Sequence, residues 1–167
     1  MKKSILFILL LCIIFSMFGC SIHNEQDISS VRFYYLRNEL SYQSNDSILY
    51  YETRDCTAYK DDALALINYY FAGPETEACT SPFLSSVKAT KITLTNEAVN
   101  IYLNNRFADI KGLDFTTACA CLSKTLMDLY QRDNVKLFAA SNFSDGSYYI
   151  EISTDTLILL DNAIREG

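Results

Sequence analysis

The chain has 167 residues, enough for one domain with a sizeable core, and half of its residues are hydrophobic. Its 14 basic residues stand against 20 acidic ones, which gives a net charge of −6 at pH 7. This acidic balance argues against nucleic acid or an anionic lipid surface as the main partner.

The N-terminus has the pattern of a bacterial secretion signal. Lys2 and Lys3 precede an apolar run, residues 5–18, in which Ser16 is the only polar residue. The run has the length of a signal-peptide core and is shorter than the roughly 20 residues that a membrane-spanning helix needs. A glycine and then Cys20 follow, which resembles a lipobox, in which the cysteine becomes the lipid-carrying N-terminus of the mature protein.

The alternative is an uncleaved anchor that happens to contain a cysteine. Two acyl chains on Cys20 would anchor the protein stably, at about 0.8 kcal/mol per buried methylene. We expect residues 1–19 to be a signal peptide, 20–30 a tether, 31–155 the folded domain and 156–167 a C-terminal tail. Loss of the signal leaves 12 basic residues against 20 acidic ones, a net charge of −8, on the outer face of the cytoplasmic membrane.

Two strands come first in the folded part. Alternating aromatic and β-branched residues predict a strand over 31–36, where Val31, Phe33 and Tyr35 share one side. The polar residues 38–46 predict a loop, and residues 48–53 predict a second strand.

The first helix is predicted over residues 63–71, where apolar side chains recur at three- and four-residue spacing. Asp61 or Asp62 can cap its start with a side-chain oxygen, and Gly73-Pro74 ends it. Residues 75–86 are predicted to be a loop.

A hairpin and a second helix follow. Residues 91–95 and 99–104 alternate in polarity around a short turn, which predicts two antiparallel strands with one buried face. Asp114 is the expected cap of the second helix, which we predict over residues 115–129. Its exposed side should carry Lys124 and Asp128.

The last elements are two strands, over residues 134–139 and 148–152, on either side of a turn at Asp145-Gly146. Leu157–Leu160 could pack back on the core. The order of elements predicts an α+β fold, a two-layer sandwich in which two helices lie on one face of a mostly antiparallel sheet.

Four cysteines belong to the folded part: Cys56, Cys79, Cys119 and Cys121. Disulfides are permitted outside the membrane, and four cysteines allow three pairings. Buried free thiols are the alternative, because cysteine packs as a small hydrophobe. Cys119-x-Cys121 has no second close pair and no histidine nearby, so the spacing does not predict a metal site.

The sequence predicts no catalytic, cofactor-binding or metal-ligating residue. The single histidine, His23, lies in the tether, which argues against a Ser-His-Asp or Cys-His arrangement. No glycine-rich phosphate loop is present. Asp61-Asp62 could serve a two-carboxylate hydrolase, but adjacent residues on a helix do not face one another, and capping explains them better.

Five segments together resemble the GerMN domain of sporulation and spore germination. They are the helix 63–74 that ends in Gly-Pro, Ser81-Pro82, the strand 99–104, the helix 116–129 and the strand 135–137. The resemblance covers residues 31–155. It implies a noncatalytic lipoprotein domain without cofactor, which acts through an envelope protein partner or a homo-oligomer and is held to the membrane by Cys20.

An extracellular module that binds peptidoglycan or sugar is the alternative function. Twelve tyrosines and no tryptophan are compatible with a sugar-binding surface, although tyrosines at strand positions also pack in sheets. A concave cleft lined by exposed tyrosines would favour this alternative.

Overall fold

The structure is a computed structural model, and it describes residues 29–38, 47–139 and 148–156. The signal segment, Cys20, His23 and Leu157–Leu160 lie outside the described residues. Within them the elements are β1 (Val31–Arg37), β2 (Leu49–Arg54), α1 (Ala63–Phe71), β3 (Cys79–Thr80), β4 (Ala89–Leu94), β5 (Ala98–Leu103), α2 (Gly112–Tyr130), β6 (Asn134–Ala139) and β7 (Tyr148–Ser153). Short 3₁₀ turns lie at Thr57–Tyr59 and Asn105–Asp109.

The strands form two sheets. The first has the order β2-β1-β3 and is antiparallel; the second has the order β4-β5-β6-β7, with a parallel pair between β5 and β6. A parallel pair needs a crossover connection, which α2 provides. The α+β class is confirmed, and the mostly antiparallel strands are shared between two sheets. The short strand β3 lies in a segment that was predicted to be a loop.

Side chains of the two helices occupy strand edges that have no strand beside them. Tyr34 in β1 donates its N–H to Thr125 Oγ1 at 2.9 Å, and its carbonyl accepts the Tyr70 hydroxyl at 2.6 Å. At the outer edge of β4, the Asn68 amide exchanges two hydrogen bonds with the backbone of Ala89, at 3.0 and 3.1 Å. Because unpaired strand edges invite further pairing, these contacts both close the edges and fix the helices on the sheets.

The N-terminal cap of α1 agrees with the sequence prediction, whereas that of α2 differs from it. Asp62 caps α1 by accepting from Ala65 N at 2.8 Å, and Gly73 follows the helix at a φ of +101°. The prediction that Asp114 caps α2 is wrong, because the helix begins at Gly112. Asp114 instead lies in the first turn, where the positive end of the helix dipole favours a carboxylate.

One hydrophobic core joins both sheets and both helices. The inward sides of the strands contribute to it as the alternation predicts. Its largest fully buried side chains are Tyr35, Tyr70, Phe33, Phe107, Ile67, Ile101, Leu122 and Leu126. In the part of the chain that the structure describes, neither helix is long and apolar enough to cross a membrane.

Candidate functional site

A groove of about 550 Å³ opens between the outward face of β1 and β2 and the second half of α2. We call it the Tyr51 groove. Its floor is formed by Tyr34, Ser47, Leu49 and Tyr51. Its walls are formed by two groups of side chains, Lys124, Met127, Asp128 and Gln131 on α2 and its end, and Arg132, Asp133 and Thr154 beyond it.

The floor follows from the register of the β1–β2 hairpin. Tyr34 pairs directly with Tyr51, so both side chains lie on the same face, with ring centroids 5.6 Å apart. Tyr51 is 44% exposed, whereas Tyr34 is 9% exposed. The Arg32 guanidinium lies 5.3 Å from the Tyr51 ring centroid, which holds the exposed ring in place by a cation–π contact.

The wall on α2 carries a hydrogen-bonded ion pair. Lys124 Nζ lies 2.9 Å from Asp128 Oδ1, one helical turn away, and the Tyr34 hydroxyl donates to Asp128 Oδ2 at 2.6 Å. Lys124 Nζ also lies 5.6 Å from the Tyr34 ring centroid. Burial and this hydrogen bond raise the pKa of Tyr34 far above its usual value, so the hydroxyl remains a donor at physiological pH.

The far end of the groove is fixed by backbone contacts. Gln131 ends α2 in the left-handed conformation at a φ of +50°, and its side chain donates to the Asp128 carbonyl at 2.6 Å. Arg132 donates to the carbonyls of Thr95, at 3.1 Å, and Tyr130, at 3.4 Å. A non-glycine residue in the left-handed region costs free energy, and such positions occur often at functional sites.

A second surface lies on the outer face of the four-stranded sheet. The rings of Tyr102 and Phe138 stack with centroids 4.6 Å apart and planes 11° apart, and both are half-buried. Lys91 Nζ lies 5.2 Å from the Tyr102 centroid. These three residues occupy one row across β4, β5 and β6, and we call them the aromatic row.

The four cysteines of the folded part are free and buried in the structure: Cys56, Cys79, Cys119 and Cys121. Burial raises the pKa of Cys119 to about 12 and that of Cys121 further. The four thiols therefore pack as small hydrophobes, and none lines the groove. The possible disulfides among these four cysteines remain a prediction.

The acids singled out in the sequence do not come together at a site. Asp62 is used as a helix cap, and Asp61 is exposed beside it. Among the described residues, no group of three or more His, Cys, Asp or Glu is placed to hold a metal ion. The Tyr51 groove is not predicted by the sequence, although the tyrosine content is compatible with a sugar-binding surface.

Sequence reasoning also missed a buried ion pair in β2. Glu52 and Arg54 are 6% and 5% exposed, and the guanidinium donates to the carboxylate and, at 2.6 Å, to the Gly73 carbonyl. Glu52 also accepts from the backbone N–H groups of Glu75 and Thr76 at 3.0–3.1 Å. The pair therefore holds the segment after α1 against β2. The sequence pattern that could have predicted this pair is two opposite charges, two residues apart, on one side of a strand.

Comparison with known proteins gives fold similarities. No family model and no curated protein matches the chain. The tandem GerMN domains of the sporulation protein GerM from Bacillus subtilis are similar at 20% identity and a TM-score of 0.47, over 66% of this chain and 38% of that one. A protein of Clostridium perfringens assigned as a lipoprotein is similar at 8% identity and a TM-score of 0.44, over 78% and 91%. These similarities concern the fold alone.

Proposed function

We propose that the protein is a noncatalytic, lipid-anchored domain of the cell envelope that acts by binding a protein partner or a second copy of itself. The aromatic row carries this proposal. Tyr102, Phe138 and Lys91 lie together on the side of the sheet opposite the buried Ile101 and Leu137. Interfaces are enriched in such aromatic side chains.

The place of action follows from the N-terminal pattern. Diacylation of Cys20 would hold the domain within reach of the bilayer, since ten flexible residues of tether have an r.m.s. span of roughly 17 Å. A role in sporulation or germination is the part of the proposal that the sequence resemblance to GerMN domains implies.

Two measurements test this function. Cys20→Ala should move the protein from the membrane fraction to the soluble or exported fraction while the circular dichroism spectrum is retained. A photoreactive p-benzoylphenylalanine at position 91 should crosslink to a partner in cells, whereas the same group at position 113 should not. Leu113 is 68% exposed at the start of α2 and serves as the matched control. Equal crosslinking at both positions, or unchanged membrane association of the variant, would contradict the proposal.

The alternative is an extracellular module that binds peptidoglycan or sugar. One specific observation favours it, namely that the Tyr51 groove is concave and contains an exposed tyrosine ring. Its volume lies within the roughly 300–1,000 Å³ that is typical of small-molecule sites. Co-sedimentation of the protein with purified, insoluble cell-wall peptidoglycan tests this alternative directly.

A further inference from the structure

We propose that the Tyr51 groove binds an uncharged, hydroxyl-rich sugar ring of a glycan chain, with Tyr51 as the stacking platform and Asp128 as the hydrogen-bonding centre. This inference rests on the alternative function given above, and it names the ligand class and the residues.

Charge balance argues for a neutral ligand. The groove is lined by two cations, Lys124 and Arg132, and by two anions, Asp128 and Asp133, so its formal charges cancel. Lys124 and Asp128 are paired with each other, and Arg132 is engaged by backbone carbonyls. A charged ligand would therefore gain no net attraction from the formal charge of the groove, and an anion would compete for Lys124 and Arg132 with their existing partners.

The position over Tyr34 is also already taken by a cation. Lys124 Nζ lies 5.6 Å from that ring centroid, where a cationic ligand would otherwise be held. The Tyr51 ring also has a cation near it, since the Arg32 guanidinium lies 5.3 Å from its centroid, but the residue is 44% exposed, so part of its ring remains open to a ligand. An aromatic ring has a negative face, which attracts the weakly positive C–H groups on one side of a sugar ring.

Hydrogen-bonding capacity argues for hydroxyl groups. An ionised carboxylate offers about four lone-pair positions, and Asp128 uses one for Tyr34 and one for Lys124. About two positions therefore remain as acceptors. Lys124 has three N–H donors and gives one to Asp128, and its side chain is 39% exposed. Adjacent acceptors and donors of this kind match neighbouring hydroxyl groups, each of which both donates and accepts.

The geometry is held in place before a ligand arrives. Thr125 fixes the backbone of Tyr34 to α2, so the floor and the wall of the groove cannot move apart without loss of that hydrogen bond. Arg32 holds the Tyr51 ring from the neighbouring strand. Such preorganisation reduces the entropy lost on binding.

The test is a calorimetric titration of the full-length protein in detergent with an N-acetylglucosamine oligosaccharide as the neutral probe, and with a polyglycerol phosphate as the anionic probe. We expect saturable binding of the oligosaccharide and none of the phosphate polymer. Tyr51→Ala should weaken binding about tenfold because it removes the stacking ring. Asp128→Asn should weaken it by about the same factor, because the amide replaces one acceptor oxygen by an NH₂ donor and removes the charge that pairs with Lys124. Leu113→Ala should leave the affinity unchanged, since Leu113 is 68% exposed and does not line the groove.

Absence of oligosaccharide binding, stronger binding of the anionic polymer, or an equal effect of Leu113→Ala would overturn the inference. Circular dichroism of each variant separates loss of binding from loss of folding. Co-sedimentation with peptidoglycan separates the proposal that the protein binds the cell wall from the proposal that it binds through the Tyr51 groove. If the wild type and Tyr51→Ala sediment equally, wall binding stands and the groove assignment fails; if neither sediments, both fail.

Discussion

Glu52→Gln tests whether the buried ion pair in β2 stabilises the fold. Glu52 accepts from Arg54 Nε at 2.6 Å, from Arg54 Nη2, and from two backbone N–H groups after α1. The amide keeps one oxygen acceptor, but its NH₂ group must face one of these donors, and Arg54 loses its buried counter-charge. Breaking a buried pair in this way costs about 3–5 kcal/mol, a large share of a total stability of about 5–15 kcal/mol.

The effect should also depend on pH. Burial raises the pKa of Glu52, but the hydrogen bonds from Glu75, Arg54 and Thr76 outweigh it, and the net pKa lies below the ordinary value of 4.5. A depressed carboxyl pKa stabilises the folded state above the unfolded pKa, and this stabilisation is lost as the pH falls through the folded value. The difference between wild type and Glu52→Gln should therefore be large at pH 7 and smaller at pH 3.

Urea unfolding followed by circular dichroism at both pH values measures these differences. Glu151→Gln is the matched control, because Glu151 forms a pair with Lys136 at 3.2 Å but is 47% exposed. Exposed pairs contribute about 0–1 kcal/mol. If Glu52→Gln costs no more than Glu151→Gln, or if its cost is the same at pH 3 and pH 7, the reasoning about the buried pair is wrong.

Three further predictions concern the helix end, the strand edge and the thiols. Gln131→Gly should be more stable than Gln131→Ala by about 1 kcal/mol in urea unfolding, since both lose the side-chain hydrogen bond but only glycine relieves the left-handed strain; equal stabilities would contradict this. Thr125→Val should lower the free energy of unfolding by about 1–3 kcal/mol, because it leaves the buried Tyr34 N–H without its acceptor. Thr117→Val should lower it less, because the Thr117 hydroxyl donates within its own helix. Ellman's reagent at pH 8 should label the four folded-domain cysteines of the native mature protein slowly, because they are buried, and should label all four in denaturant. Rapid labelling of the native protein would refute their burial. Fewer than four labelled thiols in unreduced, denatured protein would reveal a disulfide.

Local patterns predicted the elements well. The alternation around Phe33 and Tyr35 predicted the buried side of β1, and the spacing of apolar residues between Ala63 and Phe71 predicted α1 together with its Asp62 cap. The same reasoning failed at Asp114, because both the residue types and the spacing suit a cap, and only the backbone at Lys111–Gly112 decides where the helix begins.

The candidate site was beyond this kind of prediction. Tyr34 and Thr125 are 91 positions apart in the chain, and Tyr34 and Asp128 are 94 apart, yet both pairs are hydrogen-bonded. In the sequence, the polar side of β1 and the polar side of α2 each have the pattern of an ordinary solvent-facing surface. Their meeting in a groove depends on how α2 crosses β1.

The sequence by itself determined the order of the elements other than β3, the buried side of most of them and an N-terminal pattern that points to lipidation at Cys20. The tertiary structure decided that the strands divide into two sheets, that Glu52 and Arg54 are buried together, and that Tyr51 lies in a concave site. The physical reason is that periodicity reports which side of an element leaves water, whereas the partner of that side is set by long-range packing.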